Sequence, residues 1–450
     1  MTPLELRASL SLASIFGLRL FGMFVILPVF AIYAEKLPGG DNLTLVGIAI
    51  GAYGLTQAIL QIPFGWWSDR YGRKRVIYIG LAIFAAGSFI AAVAANMYVV
   101  ILGRILQGGG AVSAAVMAMA ADLTREEQRT KAMAMIGSTI GLAFALSLVA
   151  SPWLNRHIGV PGIFALTGVL ALLAMLVVWR IVPDVHEVRR SGRSGALREF
   201  VSVLSDPQLG RLNVGVFVLH AVLMALFIAI PFSLRDAGLP LAEHWKIYLP
   251  VMLASFALMM PAVVGRGRAK LKAYFTGSVA LLVVSHLALP WLAGSVTLLA
   301  VFLVLFFAPF NILEALLPTL TSKMAPAHSK GVAIGLYSSV QFFGTFLGAV
   351  LGGFAYGRWG LMGVVIVDTV LLVVWLVAAL GMQPPIASST RSYTLPPLDR
   401  ARAAALVERV HALEGVRQAR LVPEENTLCL EVDSDTFDEH NVLQLITAET

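Results

Sequence analysis

The stretch Gly65-Trp66-Trp67-Ser68-Asp69-Arg70-Tyr71-Gly72-Arg73-Lys74-Arg75 sets four cationic side chains and one carboxylate between two apolar runs, residues 45–67 and 76–95. Each run has the roughly 20 apolar residues that a membrane-crossing helix needs. A glycine at a helix end, here Gly65, allows close approach of a second backbone. Asp69 and Arg73 are opposite charges four residues apart, a spacing that lets them pair at the membrane edge. The stretch reads as a short charged connection between two lipid-embedded helices.

Outward from it, comparable runs lie at 9–33, 98–121, 131–155 and 161–183, and a second set at 212–234, 244–265, 271–292, 297–322, 330–356 and 361–383. The chain is 58% hydrophobic and 13% charged over 450 residues, with mean hydropathy +0.82. A water-soluble chain of this size carries roughly 25% charged residues, so this one takes lipid as its solvent. The first run, from Leu10 to Tyr33, is too long for a signal-peptide core and lacks a small-x-small cleavage site before Glu35.

Charge sets the expected topology. Residues 387–450 hold six arginines against eleven acidic side chains, a net of −5, which leaves +12 for the rest of a chain whose total is +7. That surplus lies in short connections, roughly nineteen Lys and Arg after even-numbered runs and about five after odd-numbered ones. Both termini and the basic linker 184–211, with Arg189, Arg190, Arg193 and Arg198, are therefore expected in the cytoplasm. A topology signal of this kind argues against nucleic acid as a partner. Six runs, a linker and six more predict two related halves, 1–183 and 212–383.

At the opening stretch the chain resembles the major facilitator superfamily, whose signature loop reads G-x-x-x-D-R-x-G-R-K/R between its second and third helices. The resemblance implies a conformational switch built from Gly65, Asp69, Arg70, Gly72 and Arg73, with Asp122 as the second acidic partner of the arginine. It implies that Asp69 stands by the start of the eleventh helix in an outward-facing state, where Gly344, Gly348 and Gly352 offer a tight packing surface. Arg104-Ile105-Leu106-Gln107-Gly108 resembles the R-x-x-x-G pattern of proton-coupled members. Gly137-x-x-x-Gly141 through Ser151-Pro152 matches the antiporter motif in part, with Ser151 where glycine is expected. The second-half loop Gly265–Lys270 keeps basic residues and has no aspartate. The runs Arg19–Pro28 and Phe310–Pro318, with the C-terminal tail, are most similar to a drug:proton efflux type that carries a cytoplasmic domain. The fold implied is an all-α membrane protein of twelve helices.

Ionisable residues inside apolar helices mark function by default. They are Arg19, Arg104, His220, His286, Glu314 and Asp368. At about 1.5 Å per residue, Arg19, His220 and Glu314 come to similar depth. Glu314, one turn after Asn311 and bracketed by Pro309 and Pro318, is the candidate proton carrier, and His220 is placed to share its proton. Arg19 is expected to organise helix packing or to pair with Glu314. Asp368 is expected to pair with a neighbour near the surface. Phe21, Phe24, Phe217, Phe227, Phe306, Phe307, Phe310, Phe342 and Phe343, with Met23 and Met224, either line a cavity or pack outward. An apolar cavity suits amphiphilic compounds better than sugars.

After a linker at 384–397 the pattern changes. A strand near Arg391–Leu395, a helix Ala401–Leu413, strands Val416–Val422 and Thr427–Val432 joined through Pro423–Asn426, and a helix Phe437–Ile446 predict β-α-β-β-α, a ferredoxin-like domain over 391–450. The tail resembles heavy-metal-associated domains but has no C-x-x-C. With one cysteine, Cys429, and with His411 and His440 scattered, neither metal nor other cofactor is expected. The acidic tail is expected to dock on the basic linker, to self-associate, or to be an independent module. The expected function is proton-coupled efflux of small amphiphilic compounds by alternating access. Its competitors are an importer of a small metabolite and a transporter-like sensor signalling through the tail. No nucleophile–base arrangement or phosphate-cradling loop points to an enzyme.

Overall fold

A computed structural model describes residues 1–183, 196–264, 268–326, 329–382, 388–395, 400–422, 427–433 and 437–447. Arg189, Arg190 and Arg193, the loop Gly265–Gly267 and the turn Pro423–Asn426 lie outside the described residues. The chain divides into two units, Met1–Met382 and Gln383–Thr450.

The first unit is helical throughout. Its elements are α1 (Pro3–Phe24), α2 (Leu27–Ala34), α3 (Leu43–Tyr71), α4 (Arg73–Ala92), α5 (Met97–Gly109), α6 (Ser113–Asp122), α7 (Glu126–Arg180), α8 (Ala196–Ser205), α9 (Pro207–Asp236), α10 (Trp245–Val264), α11 (Arg268–Leu292), α12 (Val296–Met324) and α13 (Lys330–Leu380). Among the described residues nine stretches are long and apolar enough to cross a membrane, two of them being kinked pairs. Counting each pair as two and adding α10 gives the expected twelve.

Local chemistry explains where helices break. The first crossing bends at Val25–Ile26 because Pro28 has no N–H to give the preceding turn. The fourth opens between Gly109 and Ser113. In α7 and α13 the turn falls on Gly159 (φ 66°) and Gly360 (φ 60°), a left-handed conformation that only glycine adopts without strain. The same bend thus joins the last two crossings of each half.

Two expectations are corrected. The signature stretch is helical, not a loop: α3 runs through Tyr71 and α4 starts at Arg73, leaving Gly72 alone as the turn. Tryptophans and alternating charge continue the helical pattern, and only the glycine interrupts it. The segment 184–211, expected as a plain linker, carries α8 and the start of α9, where the Asp206 carboxylate accepts from the amides of Gln208 and Leu209. The stripe Gly344, Gly348 and Gly352 is a tight packing surface, as expected, and it packs on α9 of its own half. A Cβ at Gly348 would lie 2.1 Å from the Ala221 carbonyl oxygen.

The second unit is a three-stranded antiparallel sheet in the order β1 (Ser388–Thr394), β3 (Thr427–Asp433), β2 (Val416–Val422). Arg391 pairs with Leu430, and Leu430 with Ala419. Alternate β3 residues Leu428, Leu430 and Val432 bury against Leu406 and Val410 of α14 (Arg400–His411) and Val442 of α15 (Glu439–Thr447).

Candidate functional site

The two helical halves meet at one end. A Cβ at Gly47 of α3 would lie 2.2 Å from the Ala349 carbonyl oxygen of α13, and Gly54 abuts Thr345. At the same end Arg235, closing α9, donates to Glu35 across the halves at 2.8 Å. At the other end, where Asp69 sits, a Cβ at Gly331 or Gly335 of α13 meets nothing within 4 Å. The cleft between the halves therefore opens toward Asp69.

At that open end Arg73, largely buried, holds three partners. Its Nε donates to the Asp122 carboxylate at 2.9 Å, and its Nη1 to Ser68 Oγ at 2.8 Å and to Asp69. Arg70 lies over the rings of Trp66 and Tyr71, each 5.6 Å away. A Cβ at Gly65 would meet Ala114 at 3.4 Å, an ordinary contact, so the close packing expected of this glycine is absent here. Asp69 is 42% exposed and its pairing is with Arg73.

Deeper in the cleft, His220 of α9 and Glu314 of α12 face each other, Nε2 to Oε2 at 3.5 Å. His220 Nδ1 sits 3.0 Å from the Val216 carbonyl, so Nδ1 carries the hydrogen and Nε2 is left as an acceptor. Gln341 of α13 fills it: its amide donates to His220 Nε2 at 2.8 Å and to Glu314 Oε1 at 3.4 Å. Neighbouring Asn311 is buried with its amide nitrogen unpartnered. Gln341 escaped sequence reasoning, because an uncharged amide in an apolar helix gives no charge signal.

Arg19 does not pair with Glu314. It donates to Ser113 Oγ at 2.5 Å and to Gln57, whose amide passes on to Gln61 at 3.0 Å. Arg104 is fully buried and donates to the Ala49 and Ile50 carbonyls of α3 at 3.3 and 3.2 Å and to Gln107. Tyr53 lies between the two guanidinium groups, 5.8 Å from Arg19 and 5.1 Å from Arg104. Arg104 thus fastens α5 to α3.

Rings close the cleft beyond this level. Phe144 of α7 touches Phe24 (5.0 Å), Phe227 (6.3 Å), Phe307 (5.8 Å) and Phe310 (6.0 Å). Phe227 and Phe307 stand seven residues, about 10 Å of helix rise, beyond His220 and Glu314. Four of the expected phenylalanines therefore gather around Phe144, which sequence reading passed over. Phe217 pairs instead with the exposed Phe343.

Paired lobes of membrane-length helices, closed at one end and polar at mid-depth, define a multi-pass membrane transporter. The chain belongs to the Major Facilitator Superfamily, whose family model matches residues 12–349. It is 43% identical to the inner membrane transport protein YajR of Escherichia coli (strain K12) over 450 residues, 99% of this chain and 98% of that one. It is 26% identical over 353 residues to the quinolone resistance protein NorA of Staphylococcus aureus (strain MRSA252), covering 74% and 85%. The fold matches the crystal structure of a bacterial homologue of the human lysosomal transporter Spinster, inward-facing and unoccupied, at TM-score 0.68 and 16% identity over 84% of this chain and 98% of that one. These homologues are transporters and not enzymes.

Proposed function

We propose that the protein exports small amphiphilic compounds in exchange for protons by alternating access, from the inner membrane of its cell. The observation that carries this reading is the Glu314–His220–Gln341 cluster. Gln341 donates to His220 Nε2 and to Glu314 Oε1, so the cluster is partly satisfied without a proton, while Glu314 Oε2 stays buried without a hydrogen-bond partner and keeps a place for one. Glu314 remains 23% exposed, so it can accept one. A carboxylate that is tolerated empty and reachable is what a transported proton requires. The phenylalanine walls supply apolar surface with few fixed charges, and similarity to NorA and to the multidrug resistance protein MdtH favours export.

Positive charge in alternate connections supports cytoplasmic termini, which would make the open end of the cleft cytoplasmic. Arg73 clamped between Asp69 and Asp122 is then a switch. In the opposite state Asp69 would meet the start of α13, where a carboxylate is favourable. Arg19 and Asn311 serve as polar contacts for substrate, while Arg104 holds the first lobe together. Residues 1–183 and 212–383 act as the two moving halves. Strand order β1-β3-β2, both outer strands antiparallel to the middle one, supports a ferredoxin-like tail domain over 391–450.

The test is transport in proteoliposomes against a panel of amphiphilic cations and sugars, with and without an imposed pH gradient. Glu314→Gln should bind and exchange substrate yet ignore the gradient. Gradient-driven accumulation by this variant at the wild-type rate would refute the assignment.

A further inference from the structure

His286 of α11 and Asp368 in the second limb of α13 repeat the build of the cleft pair in a place no substrate reaches. Both side chains are completely buried, with Nε2 3.7 Å from Oδ2. The pair is not at the surface, where sequence reading expects Asp368. His286 Nδ1 lies 2.8 Å from the Leu282 carbonyl, as His220 Nδ1 lies by Val216, and the tautomer is fixed in the same way. The difference is the third member. Where Gln341 donates to both groups of the cleft pair, nothing donates here: His286 Nε2, Asp368 Oδ1 and Asp368 Oδ2 all lack a hydrogen-bond partner.

Two sets of lone pairs facing each other in an apolar pocket are repulsive unless a hydrogen lies between them. The walls are the rings of Phe302 and Phe306, 5.8 and 5.6 Å from the imidazole. Elsewhere on the packed helices, Glu314 of α12 is engaged by His220 and Gln341. Lys323 closes the far turn of α12, and Lys272 is fourteen residues back along α11, about 21 Å of rise. Among the described residues, His286 and Asp368 form an ion pair with each other and with no other charged side chain. One acid proton, on Asp368 as carboxylic acid or on His286 as imidazolium, supplies the absent hydrogen; at 3.7 Å the two atoms stand just beyond hydrogen-bond length, and the proton is what draws them together. Either form is neutral overall, which makes the pair tolerable in lipid.

We propose that His286 and Asp368 form a second proton-binding site of the C-terminal half, sealed from the cleft and holding one shared proton that ties α11 to α13. The site does not depend on the transport reading above. A chain of ring contacts, His286–Phe306, Phe306–Phe310 and Phe310–His220 at 5.6, 5.7 and 6.2 Å, links it to the cleft pair through packing.

The proton can be counted by linkage. Well above the ordinary histidine pKa of about 6.5 the unfolded chain holds almost no proton on these two residues, whereas the proposed site holds one. From pH 7 to 9 the unfolding constant of the purified full-length protein in micelles should therefore rise with pH, by up to about a factor of ten per pH unit, a rise that Asp368→Asn lacks. The asparagine amide donates to Nε2 without a titrating proton. Parallel profiles for the two proteins overturn the proposal. If Asp368→Asn does not fold, the double variant His286→Gln/Asp368→Asn, which retains an amide-to-amide hydrogen bond, is compared with wild type by the same criterion.

Discussion

Glu35 and Arg235 hold the closed end of the cleft, and neutralising Glu35 should loosen it by a small, calculable amount. The two side chains are 45% and 40% exposed and meet at 2.8 Å. Half-exposed ion pairs are worth about 0.2–1 kcal/mol. Removing one should multiply the odds of the opposite, far-end-open state by about 1.4 to 5, since 1.4 kcal/mol is a factor of ten. Glu35→Gln is the cleaner perturbation, because Arg235 also lies 5.0 Å over the Phe232 ring and 3.6 Å from Asp236, so its loss would remove three interactions. The assay is a spin-label distance distribution between Asp41 and Pro240, exposed positions on the connections of the two halves at that end. Cys429, the single cysteine, is first replaced by serine. The longer-distance population should grow in Glu35→Gln at low salt and the difference shrink near 1 M salt, where the screening length is about 3 Å. The charge swap Glu35→Arg/Arg235→Glu should move the distribution part of the way back toward wild type, since it restores the pair but loses the contacts of Arg235 with Phe232 and Asp236. An unchanged distribution in Glu35→Gln, or a swap no better than the single variant, would show that the latch is apolar packing alone.

Two further outcomes follow from packing and protonation. Gly348→Ala should cost about 1–3 kcal/mol of stability, because its new methyl meets the Ala221 carbonyl oxygen at 2.1 Å, whereas Gly277→Ala, with open space around it, should be neutral or stabilising; thermal unfolding in detergent compares them. His244, in the turn before α10, is held at about 4 by burial, below its ordinary value of 6.5. Its neutral form is the folded form, so the stability it contributes is complete above pH 6.5 and is lost as pH falls from 6.5 toward 4, by up to about tenfold in the unfolding constant per unit. His244→Phe should flatten that acid limb.

Features governed by local sequence were legible before the structure. Twelve apolar runs, the Asp69–Arg73 spacing and the change of period after residue 384 each depend on neighbours along the chain, and each has its counterpart in the fold. Depth arithmetic brought His220 and Glu314 to one level, and they do face each other. It also levelled Arg19 with them, yet Arg19 turns to Gln57 and Ser113, because depth fixes height in the bundle and says nothing of the direction a helix face points. Gln341, Gln57 and Phe144 were missed because neutral amides and rings blend into apolar helices. His286 and Asp368 looked weak singly. Their meaning lies in a juxtaposition of residues 82 positions apart, which no periodicity encodes.

The phenylalanine plug around Phe144 also shapes the electric field across the protein. A water-filled cleft conducts ions, so its floor sits near the voltage of the compartment it faces, and the transmembrane potential drops mainly across the dry rings. A unit charge crossing that plug feels about 2.3 kcal/mol per 100 mV. On the proposed reading, a proton that reaches Glu314 from the open side would cross almost none of it. Under that proposal voltage would act mainly on the step that swaps which face is open.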